Sequence, residues 1–184
     1  MKKLLIAALT ILSLTLAQGS VLADYANDRA EIENMSNKYM IAMDAGDIET
    51  VMSFWAEDGE MYWVFGEEHS KEAIRKAMAP FVGGLTAQAG IEEGATSRPR
   101  TRHQIINHVI DVDGDTAHTI AYWFALTNKT PQGDVQVLYF GHYEAELVRR
   151  NGRWLFRKRV IYNESRQNRK LFYPGLGETD PRKH

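Results

Sequence analysis

An aspartate at 44 and a histidine at 103 are the residues of this chain best suited to moving a proton. Asp44 closes the stretch "NKYMIAMD", in which Tyr39, Met40 and Met43 form an apolar face. A carboxylate beside such a face loses hydration, which costs free energy unless something pairs with it. His103 is a candidate partner, near the start of the strand-like run "TRHQIINHVIDV". An imidazole titrates near neutral pH, and a carboxylate behind it fixes one tautomer and supports the charged form. Such a pair can serve as a general base, or simply brace a helix against a strand as an ion pair.

The surrounding elements decide whether the two residues can meet. Ile32, Met35, Tyr39 and Met43 recur at three- and four-residue spacing, which predicts an amphipathic helix over 28–44, stopped by Gly46. Asp47 is placed to cap a second helix, Ile48 to Trp55, and Ser70 a third, Lys71 to about Phe81. Between them, a turn at Asp58-Gly59 leads into an aromatic strand, Met61 to Phe65. Residues 83–98 are small and polar, a long loop with the makings of a lid. From Thr101 the period becomes two: one hairpin turns at Asp113-Gly114, and another at Asn151-Gly152. Three helices followed by four long strands is an α+β architecture. A sheet this rich in aromatics would curl around the first helix and leave a pocket between them.

Composition narrows the function classes. Residues 1–23 have a basic start, an apolar stretch over Leu4 to Ala17 and the small-residue site Val21-Leu22-Ala23, which predicts a signal peptide cleaved after Ala23. The mature chain is then a periplasmic or secreted protein of one domain over 24–165 with a polar tail, 166–184, and no membrane attachment after cleavage. Loss of Lys2 and Lys3 takes the formal charge from −2 to −4, so no basic surplus remains for nucleic acid. The absence of cysteine excludes disulfides, thiolate nucleophiles and cysteine-ligated zinc. Strict alternation puts His103, Ile105 and Asn107 on one face and His108 on the other, which argues against a two-histidine metal site. "DVDGDT" lacks the spacing of a calcium loop and reads as a hairpin turn; "RPRTRH" reads as a solvated approach to the strand. Neither a metal nor a cofactor is expected, and the expected partner is a small molecule.

The runs "IENMSNKYMIAMDAGDIETVMSFWAEDGEM", "RHQIINHVIDVDGDTA" and "GHYEAELVRRNGRWLFRKRVI" resemble the SnoaL-like branch of the nuclear transport factor 2-like superfamily. The resemblance implies a cone-shaped, curved, mostly antiparallel sheet wrapped around the N-terminal helices. Members such as bile-acid 7α-dehydratase, hexachlorocyclohexane dehydrochlorinase and scytalone dehydratase share an aspartate ending the first helix and a histidine beginning the first long strand. Asp44 and His103 match those positions. Tyr39 matches the helix tyrosine of the bile-acid enzyme, Tyr122 its second pocket tyrosine, and Asn107 completes the "H-x-x-x-N" seen in the dehydrochlorinase. Other positions depart. The second catalytic histidine of scytalone dehydratase falls near Ala121, its serine and asparagine on Gly141 and Tyr143. The arginine of the bile-acid enzyme aligns closer to Asn163 than to Arg159.

The implied activity is cofactor-free elimination or isomerisation by a base, with Asp44, His103 and Tyr39 in catalytic roles. Tyr122, Asn107, Tyr62, Trp63, His142 and Arg159 are candidates for the substrate pocket, and Trp123 and Phe140 for its shape. Their aromatic character suits a flat, largely apolar ligand. The alternative is a non-catalytic binding or scaffolding domain of the same fold. Apolar residues on both strand faces predict a homodimer through the sheet's outer face.

Overall fold

The computed structural model describes residues 2–82, 100–130 and 133–165, with side chains from residue 24 onward. The expected lid, 83–98, and the polar tail, 166–184, lie outside the described residues. Helix α1 runs Lys2–Ala45, α2 Ile48–Ser53 and α3 Lys71–Met78; the strands are β1 Trp55–Trp63, β2 Gly66–Glu68, β3 Thr101–Asp113, β4 Thr116–Thr127, β5 Gln136–Arg150 and β6 Arg153–Asn163. One six-stranded curved sheet follows the order β2-β1-β6-β5-β4-β3. Of the pairings among the described residues, only β1–β6 is parallel. Among the described residues, no helix is long and apolar enough to cross a membrane.

Local chemistry explains most boundaries. α1 begins earlier than the periodic stretch at 28, and no proline precedes Pro80 to interrupt it. It stops at Gly46, whose φ of 84° is costly for other residues. Asp47 caps α2 by accepting the Thr50 N–H at 3.0 Å, and Ser70 caps α3 by accepting the Ala73 N–H at 3.1 Å. α3 ends at Met78 rather than near Phe81, just before Pro80. Asn151 and Gly152, with φ of 53° and 72°, supply the two left-handed residues of a tight hairpin turn.

The expected turn at Asp58-Gly59 is instead a bulge inside β1, which starts six residues earlier than Met61. A Cβ on Gly59 would lie 2.9 Å from the Ala56 carbonyl oxygen, so the glycine permits a close backbone approach within the strand. β2 was not legible as a strand because three residues carry no period.

α1 lies in the concavity of the sheet. Its Ile32, Met35, Tyr39 and Met40 are buried against Trp123, Ala125, Tyr143, Leu147 and Phe156. Each large apolar side chain so buried is worth about 2 kcal/mol relative to exposure. A half-buried ion pair fastens the same helix to the far hairpin: Asp28 meets Arg149 and accepts the Trp154 indole N–H at 3.3 Å.

Three bulges rephase the long strands, and each changes which residues face inward. On β3 the shift falls between Ile106 and Val109, where Asn107 takes a φ of 51°. Inward residues are Thr101, His103 and Ile105 before it, and Ile110 and Val112 after it. His108 therefore joins His103 on the concave side, contrary to strict alternation. A second shift separates Ala125 from Leu126 on β4, and a third falls opposite Glu146 and Leu147, where β6 carries an extra residue. That last shift turns Arg159, Ile161 and Asn163 inward after Trp154 and Phe156.

Candidate active site

The open end of α1 and the start of β3 bring the two proton-handling residues together. His103 Nδ1 lies 2.7 Å from Asp44 Oδ1, and the His103 backbone N–H donates to Asp44 Oδ2 at 2.9 Å. Gly46 makes this possible by ending the helix about two turns past Tyr39 and leaving Asp44 against the strand. The Asp44 side chain is 8% exposed and that of His103 22%. With the carboxylate holding Nδ1–H, Nε2 is left as the basic nitrogen of the ring.

His103 lines a cavity of about 520 Å³ between α1, the sheet and α3. Its walls are mainly apolar and aromatic: Met40, Met43, Trp63, Trp123, Leu138, Tyr139 and Tyr143. The polar groups on them are few, namely His103, Thr101, Arg159, Asn163 and the tyrosine hydroxyls. Trp63, Phe65 and Phe81 form an aromatic cluster at the side formed by β1 and α3, with ring centroids 4.8 to 5.1 Å apart. The Trp63 indole N–H and the Thr101 hydroxyl are buried without a hydrogen-bond partner among the described residues.

Arg159 is 2% exposed and packs its guanidinium over Tyr143, Phe156 and Tyr39, at 4.1, 4.6 and 4.8 Å from the ring centroids. Burial raises the Tyr143 phenol well above its ordinary range, and the adjacent guanidinium only partly offsets this. Burial likewise raises Tyr39. His108 is pushed down to about 4 by burial and by the charges of Arg159 and Arg29, so it is neutral at pH 7.

Of the residues singled out in the sequence, Asp44 pairs with His103 as expected, and His103, Tyr39, Trp63, Trp123 and Arg159 line the cavity. Tyr39 directs its hydroxyl toward Met78 Sδ at 3.6 Å. Five candidates lie elsewhere. Tyr122 is 40% exposed on the outer face opposite Ile106, because Ala121 and Trp123 take the inward positions. Asn107 sits exposed in the β3 bulge. Tyr62 also points outward, donating to Glu60 at 2.8 Å, and Phe140 is half-exposed on the same side of the sheet. His142 is fully buried but on the outer face, stacked on Tyr162 at 4.1 Å and paired with Glu164.

Tyr139, Tyr143 and Leu138 went unrecognised as pocket residues. Tyr143 could have been found by alternation with Gly141 along β5. Leu138 and Tyr139 are consecutive and both face the cavity, a consequence of the bulge that no periodicity reveals. Among the described residues, no group of three or more metal-ligating side chains is assembled.

Solved structures share this architecture. A nuclear transport factor 2-like protein with a cystatin-like fold from Novosphingobium aromaticivorans matches with a TM-score of 0.63 at 21% identity, over 84% of this chain and 94% of its own. A protein from Catenulispora acidiphila, solved in complex with S-DNPA, matches with a TM-score of 0.60 at 20% identity, over 76% and 96%. A type 2 hexachlorocyclohexane dehydrochlorinase matches with a TM-score of 0.59 at 21% identity, over 77% and 88%. At these identities the likeness establishes the fold. No curated protein matches the chain in sequence. The profile of the SnoaL-like domain, however, matches residues 24–160, and the chain belongs to that family.

Proposed function

We propose that the protein is a cofactor-independent lyase of the elimination type, or an isomerase, in which His103 removes a proton from carbon. The observation that supports this best is the His103 ring, held through Nδ1 by Asp44 on the wall of an open, largely apolar cavity. Nε2 takes the proton as the C–H electrons form a double bond. In elimination the leaving group departs from the neighbouring carbon; in isomerisation the proton returns at another carbon. Asp44 stabilises the imidazolium that results. Tyr143, rather than the outward-facing Tyr122, is the hydroxyl placed to donate to developing negative charge. The aromatic walls favour a flat aromatic or polycyclic substrate. An open cavity at His103 supports a ligand-handling role over a scaffolding one.

The test is incubation of aromatic and polycyclic carbon acids with the protein in deuterated water, followed by NMR. Wild type should exchange or eliminate at a carbon position, and His103→Ala should not. If no compound reacts faster with wild type than with the variant, the protein is a binding domain.

The leader pattern further supports export, and Ile106, Val109, Tyr122, Val137 and Phe140, exposed on the outer sheet face, support a homodimer. Mass spectrometry of the exported chain should find Asp24 at its N-terminus. Light scattering should give twice the chain mass, and only a monomer would remove the dimer.

A further inference from the structure

Arg159 differs from four other arginines of the chain. Arg75, Arg149, Arg150 and Arg157 each meet a carboxylate. Arg159 is more deeply buried than any of them, yet among the described residues no carboxylate lies within ion-pair distance of it, and its Nε has no hydrogen-bond partner. Three aromatic rings and the Tyr143 hydroxyl hold the guanidinium in place, and it forms part of the cavity wall. A buried charge is costly unless an opposite charge or a set of acceptors meets it. Aromatic faces supply only part of that compensation.

We infer that Arg159 is the seat for a carboxylate on the substrate, so that the natural ligand is an aromatic or alicyclic carboxylic acid. This rests on the reading of the cavity as a small-molecule site. A carboxylate matches the planar guanidinium, which can donate two parallel N–H groups to it. A phosphate or sulfate would bring more charge than one arginine meets, and among the described residues no lysine or second arginine lines the cavity.

The placement also says which part of the ligand is held. His103 on β3, Trp123 on β4, Tyr143 on β5 and Arg159 on β6 form one continuous wall across the sheet. Successive groups along it are 6.3, 5.4 and 4.1 Å apart. The base and the cation stand at its two ends, with the stacked Trp123 and Tyr143 rings between them. The carboxylate is therefore a handle, and the proton taken by His103 lies on the far side of the ring body that rests on those two aromatics.

The test is calorimetric titration of the full chain with 2-naphthoate and with the uncharged 2-naphthylmethanol. Wild type should bind the carboxylate at least tenfold more tightly. Arg159→Met should abolish that preference while keeping its affinity for the alcohol within threefold, which also reports an intact pocket. Inorganic phosphate should not displace the bound naphthoate. Equal affinities in wild type, failure of naphthoate to bind, a preference that survives Arg159→Met, or displacement by phosphate would each overturn the assignment. The wild-type comparison decides even if the variant does not fold. Binding is read without turnover, so loss of the preference leaves the elimination reading standing. A preference retained by a protein that exchanges no carbon-bound proton has the converse meaning.

Discussion

Asp44 reaches His103 twice, once at the ring nitrogen and once at the backbone N–H. The two contacts are separable by substitution. Asp44→Asn keeps an oxygen for the backbone N–H but loses the charge that supports an imidazolium. Its turnover should fall on the order of a hundredfold, as should that of His103→Ala, with the fold intact. Asp44→Leu loses both contacts and leaves a polar backbone group unmet, so its urea midpoint should drop by the equivalent of about 1 to 3 kcal/mol. Steady-state rates with any substrate found, set beside denaturation curves, distinguish catalysis from bracing. Wild-type turnover in both Asp44→Asn and His103→Ala would leave the pair a purely structural one.

The tyrosines provide an internal control. Tyr143 faces the cavity, whereas Tyr122 and Tyr62 face away from it. Tyr143→Phe should cost at least tenfold in turnover through loss of one donor to developing charge. Tyr122→Phe and Tyr62→Phe should stay within twofold of wild type in the same assay. The reverse ranking would place the reacting end of the substrate somewhere other than beside His103.

His142 should make stability depend on pH. Burial acts to lower its pKa, but its pairing with Glu144 and Glu164 prevails and holds it above the ordinary imidazole value. A group whose pKa is higher in the folded than in the unfolded state stabilises most when protonated in both. That contribution is full below about pH 6.5, the ordinary imidazole value, and is lost as pH rises through the elevated one. The gap in urea midpoint between wild type and His142→Gln should thus be widest near pH 6 and narrow toward pH 9. A gap that widens with rising pH would mean that His142 is neutral in the fold.

Gly141 is a point of close approach between β5 and β6. A Cβ there would sit 1.9 Å from the Tyr162 carbonyl oxygen, which also accepts the Trp123 indole N–H at 3.2 Å. Gly141→Ala should destabilise by about 3 kcal/mol, at the upper end of overpacking effects, and disturb the cavity wall through Trp123. Equilibrium unfolding measures the first effect, and the near-ultraviolet circular dichroism of Trp123 reports the second. A neutral result would show that the two strands can part without cost.

The parts of the fold legible in the sequence are those written in single residues. Gly46, Asp47, Ser70 and the Asn151-Gly152 pair each mark a boundary by their own backbone or capping chemistry. The Asp44–His103 pairing was legible because a carboxylate ending an apolar helix face calls for a partner, and the family resemblance supplied one. Face assignments beyond the first half of β3 were not. A bulge adds one residue and reverses the parity of everything after it, with no change in composition. His108 falls on the other face for this reason, and the β6 bulge, which alternation cannot reveal, sets the direction of Arg159. Tyr122 went astray differently: its match came from the resemblance, while the inward places on β4 belong to Ala121, Trp123 and Ala125.

The way α1 lies along β3 has a further consequence. Among the described residues β3 is the last strand of the sheet, and one side of its backbone has no neighbouring strand. Long bare strand edges invite pairing with other chains and lead to aggregation. Here α1 occupies that side and answers the ladder with side chains: Asp44 takes the His103 N–H, and Arg29 donates to the Ile110 carbonyl at 3.1 Å. The opposite edge belongs to β2, only three residues long. The carboxylate proposed to support His103 therefore also seals one end of the longest free edge among the described residues, and selection for solubility and for chemistry would act on the same residue.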